Sequence, residues 1–186
     1  MDNNRYLTID GIPVEINGEK NLLALIQKVG IKMPTFCYHS ELSTYGACRM
    51  CMVEVEGTER LVPACNTAVT EGMVIHTNSP RVRQARKTNL RLILSQHNSN
   101  CTVCVRSGNC NLQTIANDLG IFYLPYQKHL AGEGWDFDFP IIRDNDKCIL
   151  CRRCVAACQA QHISVIGANA RGFDTHIACA FETNLS

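Results

Sequence analysis

The chain carries twelve cysteines, at positions 37, 48, 51, 65, 101, 104, 110, 148, 151, 154, 158 and 179. They fall into three clumps separated by long stretches that hold none, and this spacing constrains the fold more than any other feature. The opening stretch MDNNRYLTID is polar and has none of the apolar run of a secretion signal, so the expected compartment is the cytoplasm. Disulfides are rare there, and a disulfide framework has no need of Cys-x-x-Cys doublets. Metal chelation does need them, because two thiolates three residues apart can grip one ion or one edge of a cluster. Zinc and iron–sulfur clusters are the two chemistries to weigh, and the runs described below favour clusters.

Charge and hydropathy exclude other classes. Across 186 residues the formal net charge is +1, whereas nucleic-acid binding usually shows a clear basic excess. No apolar run reaches the ~18 residues of a membrane-spanning helix. The length fits small domains, here read as four segments: 1–78, 79–120, a connector over 121–144, and 145–186.

Residues 6–77 read as one mixed α/β unit. YLTID and IPVEI alternate as strands do, with turns at Asp10-Gly11 and Asn17-Gly18. NLLALIQKVG sets Leu22, Leu25, Ile26 and Val29 on one helical face, with Asn21 as N-cap and Gly30 as C-terminal stop. CMVEVEG, RLVPAC and MVIHT are short strands. Two strands, a helix and further strands is a β-grasp order. Ser79 and Pro80 then open a long helix that runs to His97. Its charges Arg81, Arg83, Arg86, Lys87 and Arg91 read first as a solvated surface, with docking to an acidic partner as the rival. A second helix, NLQTIANDLG, follows Cys110 and would bury Leu112, Ile115 and Leu119. In the connector, Trp135, Phe137 and Phe139 alternate with acids and would pack on a domain surface.

The first ligand set is Cys37, Cys48, Cys51 and Cys65. A [2Fe–2S] cluster needs two thiolates on each iron, and plant-type ferredoxins supply them from a short gap, a Cys-x-x-Cys and a distant cysteine. The first gap is longer here, so the loop is expected to be larger. Gly46, Ala47 and Arg49 are the loop residues whose backbone N–H groups can approach the cluster sulfurs and tune the potential.

The second set is His97, Cys101, Cys104 and Cys110, enough for one [4Fe–4S] cubane. An imidazole in place of a thiolate makes the site one unit less negative, the logic by which histidines raise the potential of Rieske centres. A zinc site of three cysteines and one histidine is the competing reading.

The third set, Cys148-x2-Cys151-x2-Cys154-x3-Cys158, is the bacterial ferredoxin run. Cys148, Cys151 and Cys154 hold one cubane, whereas the fourth cysteine of such a run belongs to a second. Gln159 stands where a proline often follows. No second run is present to complete either cubane. Cys179, in a strand returning from ISVIGA, reads as a buried thiol or as a substitute fourth ligand. The simplest expectation is that the natural polypeptide continues past Ser186 with the other half of the ferredoxin unit.

The motifs FCYHSEL…GACRMCMVEVEG…LVPAC, HNSNCTVC…GNC and CILCRRCVAAC, in this order, resemble the N-terminal iron–sulfur region of multimeric NAD(P)-linked [FeFe] hydrogenases. The arrangement is shared with the large iron–sulfur subunit of bacterial NADH:quinone oxidoreductase and with some NAD-dependent formate dehydrogenases. The resemblance implies an α+β chain of three parts. These are a β-grasp [2Fe–2S] ferredoxin-like domain, a small helical [4Fe–4S] domain with one histidine and three cysteine ligands, and half of a bacterial two-cluster ferredoxin-like domain. It implies an electron relay between a flavin/NAD(P)H-oxidising subunit, accompanied by a small [2Fe–2S] subunit, and a catalytic hydrogenase or formate dehydrogenase domain. No hydrogen-activating residue and no nucleotide-binding glycine loop lies in this stretch, so the chain is expected to hold no site of substrate turnover. A different class is an enzyme whose three-thiolate cubane, at Cys148 to Cys154, carries an open iron. No acid–base constellation accompanies that site.

Overall fold

The computed structural model describes residues 5–130 and 144–179, which leaves the aromatic connector residues Trp135, Phe137 and Phe139 outside it. The chain divides into two compact units, one of residues 1–36 and 48–89, the other of residues 37–47 and 90–186.

The first unit begins with the hairpin of β1 (Tyr6–Ile9) and β2 (Ile12–Glu15). Asp10 and Gly11 both take positive φ, at 49° and 84°, the backbone that a two-residue turn needs to match strand twist. The period of two buries Leu7, Ile9 and Val14 on one face. Helix α1 (Leu22–Lys28) starts where the Asn21 side chain accepts the Ala24 N–H at 2.9 Å. It stops at Gly30, φ 82°, where the Gly30 and Ile31 N–H groups reach back to the Gln27 and Ile26 carbonyls. Leu22, Leu23, Leu25 and Ile26 are its buried residues. Val29 is exposed, because it sits at the C-cap, past the last turn that faces the core.

Strands β3 (Met52–Val55), β4 (Val62–Pro63) and β5 (Val74–His76) complete a sheet of order β2-β1-β5-β3-β4. β1 and β5 are parallel, with Thr8 opposite Val74 and Ile9 opposite Ile75, while the other neighbours are antiparallel. A mixed five-stranded sheet crossed by one helix is the β-grasp arrangement expected from the element order. The Asp10 carboxylate fastens the end of β5, accepting the Thr77 N–H at 2.7 Å and its hydroxyl at 2.5 Å.

Helix α2 (Pro80–Ser95) follows. It ends two residues before His97, and Gln96 and His97 continue as single turns onto the Ile93 and Leu94 carbonyls. Its charges are not all solvated. Arg86 is buried, between Val82 and Leu90 on one i, i+4 row.

In the second unit, α3 (Asn111–Asp118) buries Leu112 and Ile115, while Leu119 is only half-buried at the C-cap. Helix α4 (Arg153–Ala160) buries Val155 and Ala156. A hairpin of β6 (Ile166–Asn169) and β7 (His176–Cys179) closes the described chain, with Ile166 opposite Cys179. The segment 37–47 is fastened to α4. Arg153 donates to the Tyr38 carbonyl at 2.7 Å, the Tyr45 hydroxyl bonds the Gln159 amide oxygen, and Arg152 lies 5.9 Å over the Tyr45 ring.

Candidate metal centres

No disulfide joins any of the twelve cysteines, so all are available as thiolates. The four of the first set are buried. Cys51 immediately precedes β3, and Cys65 sits in a 3-10 turn, Ala64–Asn66, directly after β4. The Ala64 N–H donates to the Cys51 carbonyl at 2.9 Å, so the β3–β4 ladder holds those two stretches side by side. Cys48 lies in the tight loop before β3, whereas Cys37 belongs to the other unit. The loop residues singled out from sequence have the required backbone freedom: Gly46 has φ 61° and Arg49 φ 52°. Ala47 has no positive φ. Positive φ turns successive N–H groups toward a common concavity, a form that recurs around anions and iron–sulfur sulfurs.

The second set clusters around the end of α2. Cys101 opens a 3-10 turn, Cys101–Val103, and the Cys104 N–H closes it on the Cys101 carbonyl at 3.2 Å. Cys110 is the N-cap residue of α3 and makes no side-chain capping bond, which leaves its thiol for other work. The His97 ring is well covered, and its Nδ1 is buried with no hydrogen-bond partner. A buried polar atom without a partner is costly, and a metal bond would satisfy it. Burial first, then the charges of Lys128 and Lys147, hold the His97 imidazole below its ordinary pKa, while Asp144 opposes them. The neutral ring is the ligating form. Lys128 bonds the His97 carbonyl and donates to the Ser99 hydroxyl at 2.8 Å, and it lies in the field of Cys101. Sequence reading misses Lys128, which stands 31 residues from His97.

The third set wraps the start of α4. Leu150 and Arg152 both take left-handed backbone, φ 52° and 60°, between Cys148, Cys151 and Cys154. The Leu150 N–H already points at the Cys148 sulfur, 3.4 Å away. A non-glycine residue at positive φ is uncommon, and two alternating in six residues mark a backbone bent for a purpose. Cys154 and Cys158 lie four apart on α4, on one helix face. Cys154 is exposed, Cys148, Cys151 and Cys158 are half-buried, and Cys179 is buried at the end of β7.

Among the described residues, no group of three or more His, Cys, Asp or Glu stands close enough to hold a single ion. Ligands that grip different irons of one cluster need no such closeness. The donor set itself, soft thiolates with one neutral imidazole and N–H groups turned toward sulfur, fits iron–sulfur clusters.

Fold and site chemistry together define an iron–sulfur protein of the electron-carrying class. The comparisons with known proteins agree. Residues 6–80 match the family described as 2Fe-2S iron-sulfur cluster binding domain, residues 86–123 the NADH-ubiquinone oxidoreductase-G iron-sulfur binding region, and residues 141–161 the 4Fe-4S binding domain. The chain is 42% identical over 97% of its length to the HndD subunit of the NADP-reducing hydrogenase of Solidesulfovibrio fructosivorans. It is 35% identical over 97% of its length to the G 2 subunit of the NADH-quinone oxidoreductase of Rhizobium meliloti. It spans 32% of the first of these relatives and 22% of the second. A crystal structure of an NAD+-reducing [NiFe]-hydrogenase in the H2-reduced state superposes with a TM-score of 0.85 at 26% identity, over 94% of this chain and 74% of that one. The chain thus belongs to the iron–sulfur modules shared by NAD(P)-linked hydrogenases and the G-type subunits of NADH dehydrogenases. It is an electron-transfer part of an oxidoreductase, and its cofactors are [2Fe–2S] and [4Fe–4S] clusters.

Proposed function

We propose that the chain relays electrons between a flavin/NAD(P)H-oxidising partner subunit, accompanied by a small [2Fe–2S] subunit, and a catalytic hydrogenase site. Cys37, Cys48, Cys51 and Cys65 would hold the [2Fe–2S] cluster, and His97, Cys101, Cys104 and Cys110 one cubane. Cys148, Cys151 and Cys154 would hold a ferredoxin-type cubane, completed by Cys179 or by residues outside this sequence. Cys158 would serve a second ferredoxin cubane or the local one. The segments 1–78, 79–120 and 145–186 would be the three cluster domains, with 121–144 as connector. The observation that carries the reading is the His97 ring, neutral, covered and with an unpartnered Nδ1, at the head of a run of three cysteines. Cluster chemistry supplies the electron carriage. The protein's part is to fix spacing, burial and potential.

Identity to the HndD subunit exceeds that to the quinone-reductase relative, which favours hydrogenase over quinone reduction as the terminal chemistry. Among the described residues no helix is long and apolar enough to cross a membrane, and we place the relay in the cytoplasm. The test is direct. Anaerobically purified protein should be brown, with iron and acid-labile sulfide in near-equal amounts, and should give both [2Fe–2S] and [4Fe–4S] paramagnetic signals when reduced. Colourless protein containing zinc would end the proposal. Co-expression with a flavin subunit should make those signals appear on adding NADH or NADPH.

A further inference from the structure

The buried face of α2 carries a cation that the relay reading leaves unused. Only 6% of Arg86 is exposed. Its Nη2 donates to the Met33 sulfur at 2.9 Å, the Met52 carbonyl at 2.8 Å and the Thr77 carbonyl at 2.9 Å. None of these acceptors bears a formal charge, and Nε is buried with no hydrogen-bond partner. A buried guanidinium is tolerated only against compensating negative charge. Two groups provide a negative field at Arg86, and Cys51 is the larger, ahead of Asp10. Asp10 already accepts the Thr77 N–H and hydroxyl with its two oxygens. Cys51 is the residue immediately before Met52, whose carbonyl Arg86 holds.

A [2Fe–2S] core on four thiolates is an anion when oxidised, and reduction adds one electron and one further negative charge. An adjacent fixed cation therefore favours the reduced form. Arginine holds its proton throughout, so no proton need accompany the electron. We propose that the Arg86 guanidinium is the buried countercharge of the cluster that Cys51 helps to hold, and that it raises that cluster's reduction potential. The assignment rests on the [2Fe–2S] reading of the first cysteine set. It makes Arg86 a positioning residue that acts through charge.

The test is an anaerobic dithionite titration of the full chain, following the [2Fe–2S] resonance, in the parent and in Arg86→Gln, Arg86→Lys and Arg83→Gln. Arg83 is exposed on the same helix and serves as the control. Arg86→Gln is expected to lower the reduced-to-oxidised ratio at a given potential at least tenfold, a shift of about 59 mV for one electron. Arg86→Lys and Arg83→Gln should stay within tenfold of the parent. A loaded Arg86→Gln cluster with the parental midpoint overturns the proposal, as does an equal shift in Arg83→Gln. If Arg86→Gln does not load, Arg86→Lys decides: a loaded cluster near the parental midpoint supports the role, and failure to load overturns it in favour of a purely structural one. A parent without a [2Fe–2S] resonance would refute the cluster reading itself, a distinct outcome.

Discussion

At the scale of single residues, the molecule's chemistry is a matter of charge next to sulfur. His97 is kept neutral by burial and by Lys128 and Lys147, and it stands where a fourth thiolate would add a negative charge. His97→Cys should therefore still load a cubane but make it harder to reduce. The expected fall in the reduced fraction at fixed potential is tenfold or more, about 59 mV, read from the [4Fe–4S] resonance in a redox titration. The bent backbone of the third run makes a separate prediction. Arg152 at φ 60° has no easy β-branched replacement. Arg152→Val should cost about 1–2 kcal/mol, whereas Arg152→Gly should be tolerated, as measured by the denaturation midpoint of the loaded protein.

At the scale of elements, what is legible in the sequence is local. Asp10-Gly11 turns the first hairpin, Asn21 caps α1 and Gly30 ends it, because each acts on residues within a few positions. Asn21→Ala should cost about 1 kcal/mol in a urea unfolding experiment. Arg86 escapes a sequence reading because charges on a helix are counted as surface by default. The signal is nonetheless present, since Val82, Arg86 and Leu90 form one i, i+4 row in which the outer two are apolar. The fastening of segment 37–47 to α4 cannot be read at all, because its partners lie more than 100 residues apart. The start of α2 is also tied by charge. Glu54 accepts the Ser79 hydroxyl at 2.5 Å and Arg81 Nη1 at 3.0 Å, and these bonds hold its carboxyl below the usual 4.5. A depressed acid stabilises the fold above its unfolded pKa and loses that contribution as pH falls through the folded one. The stability gap between parent and Glu54→Gln should be open at neutral pH and narrow below about pH 4.5. Acid loss of clusters, common to both proteins, cancels in the comparison.

For the molecule as a whole, the three ligand sets occupy separate stretches, so each cluster should be lost alone. Cys104→Ser is expected to remove about four irons per chain and one cubane signal, leaving the [2Fe–2S] resonance intact. A simultaneous loss of every signal would mean that the centres assemble as one. The sheet adds a constraint in time. β1 lies beside β5, which ends at His76, so the second strand in space is zipped to the last strand made. While the ribosome is still short of Val74, the nascent polypeptide displays Cys37, Cys48, Cys51 and Cys65 on an unfinished scaffold. Scaffold proteins that deliver iron and sulfide would meet a competent pocket only after that point, which places maturation of this centre late in synthesis.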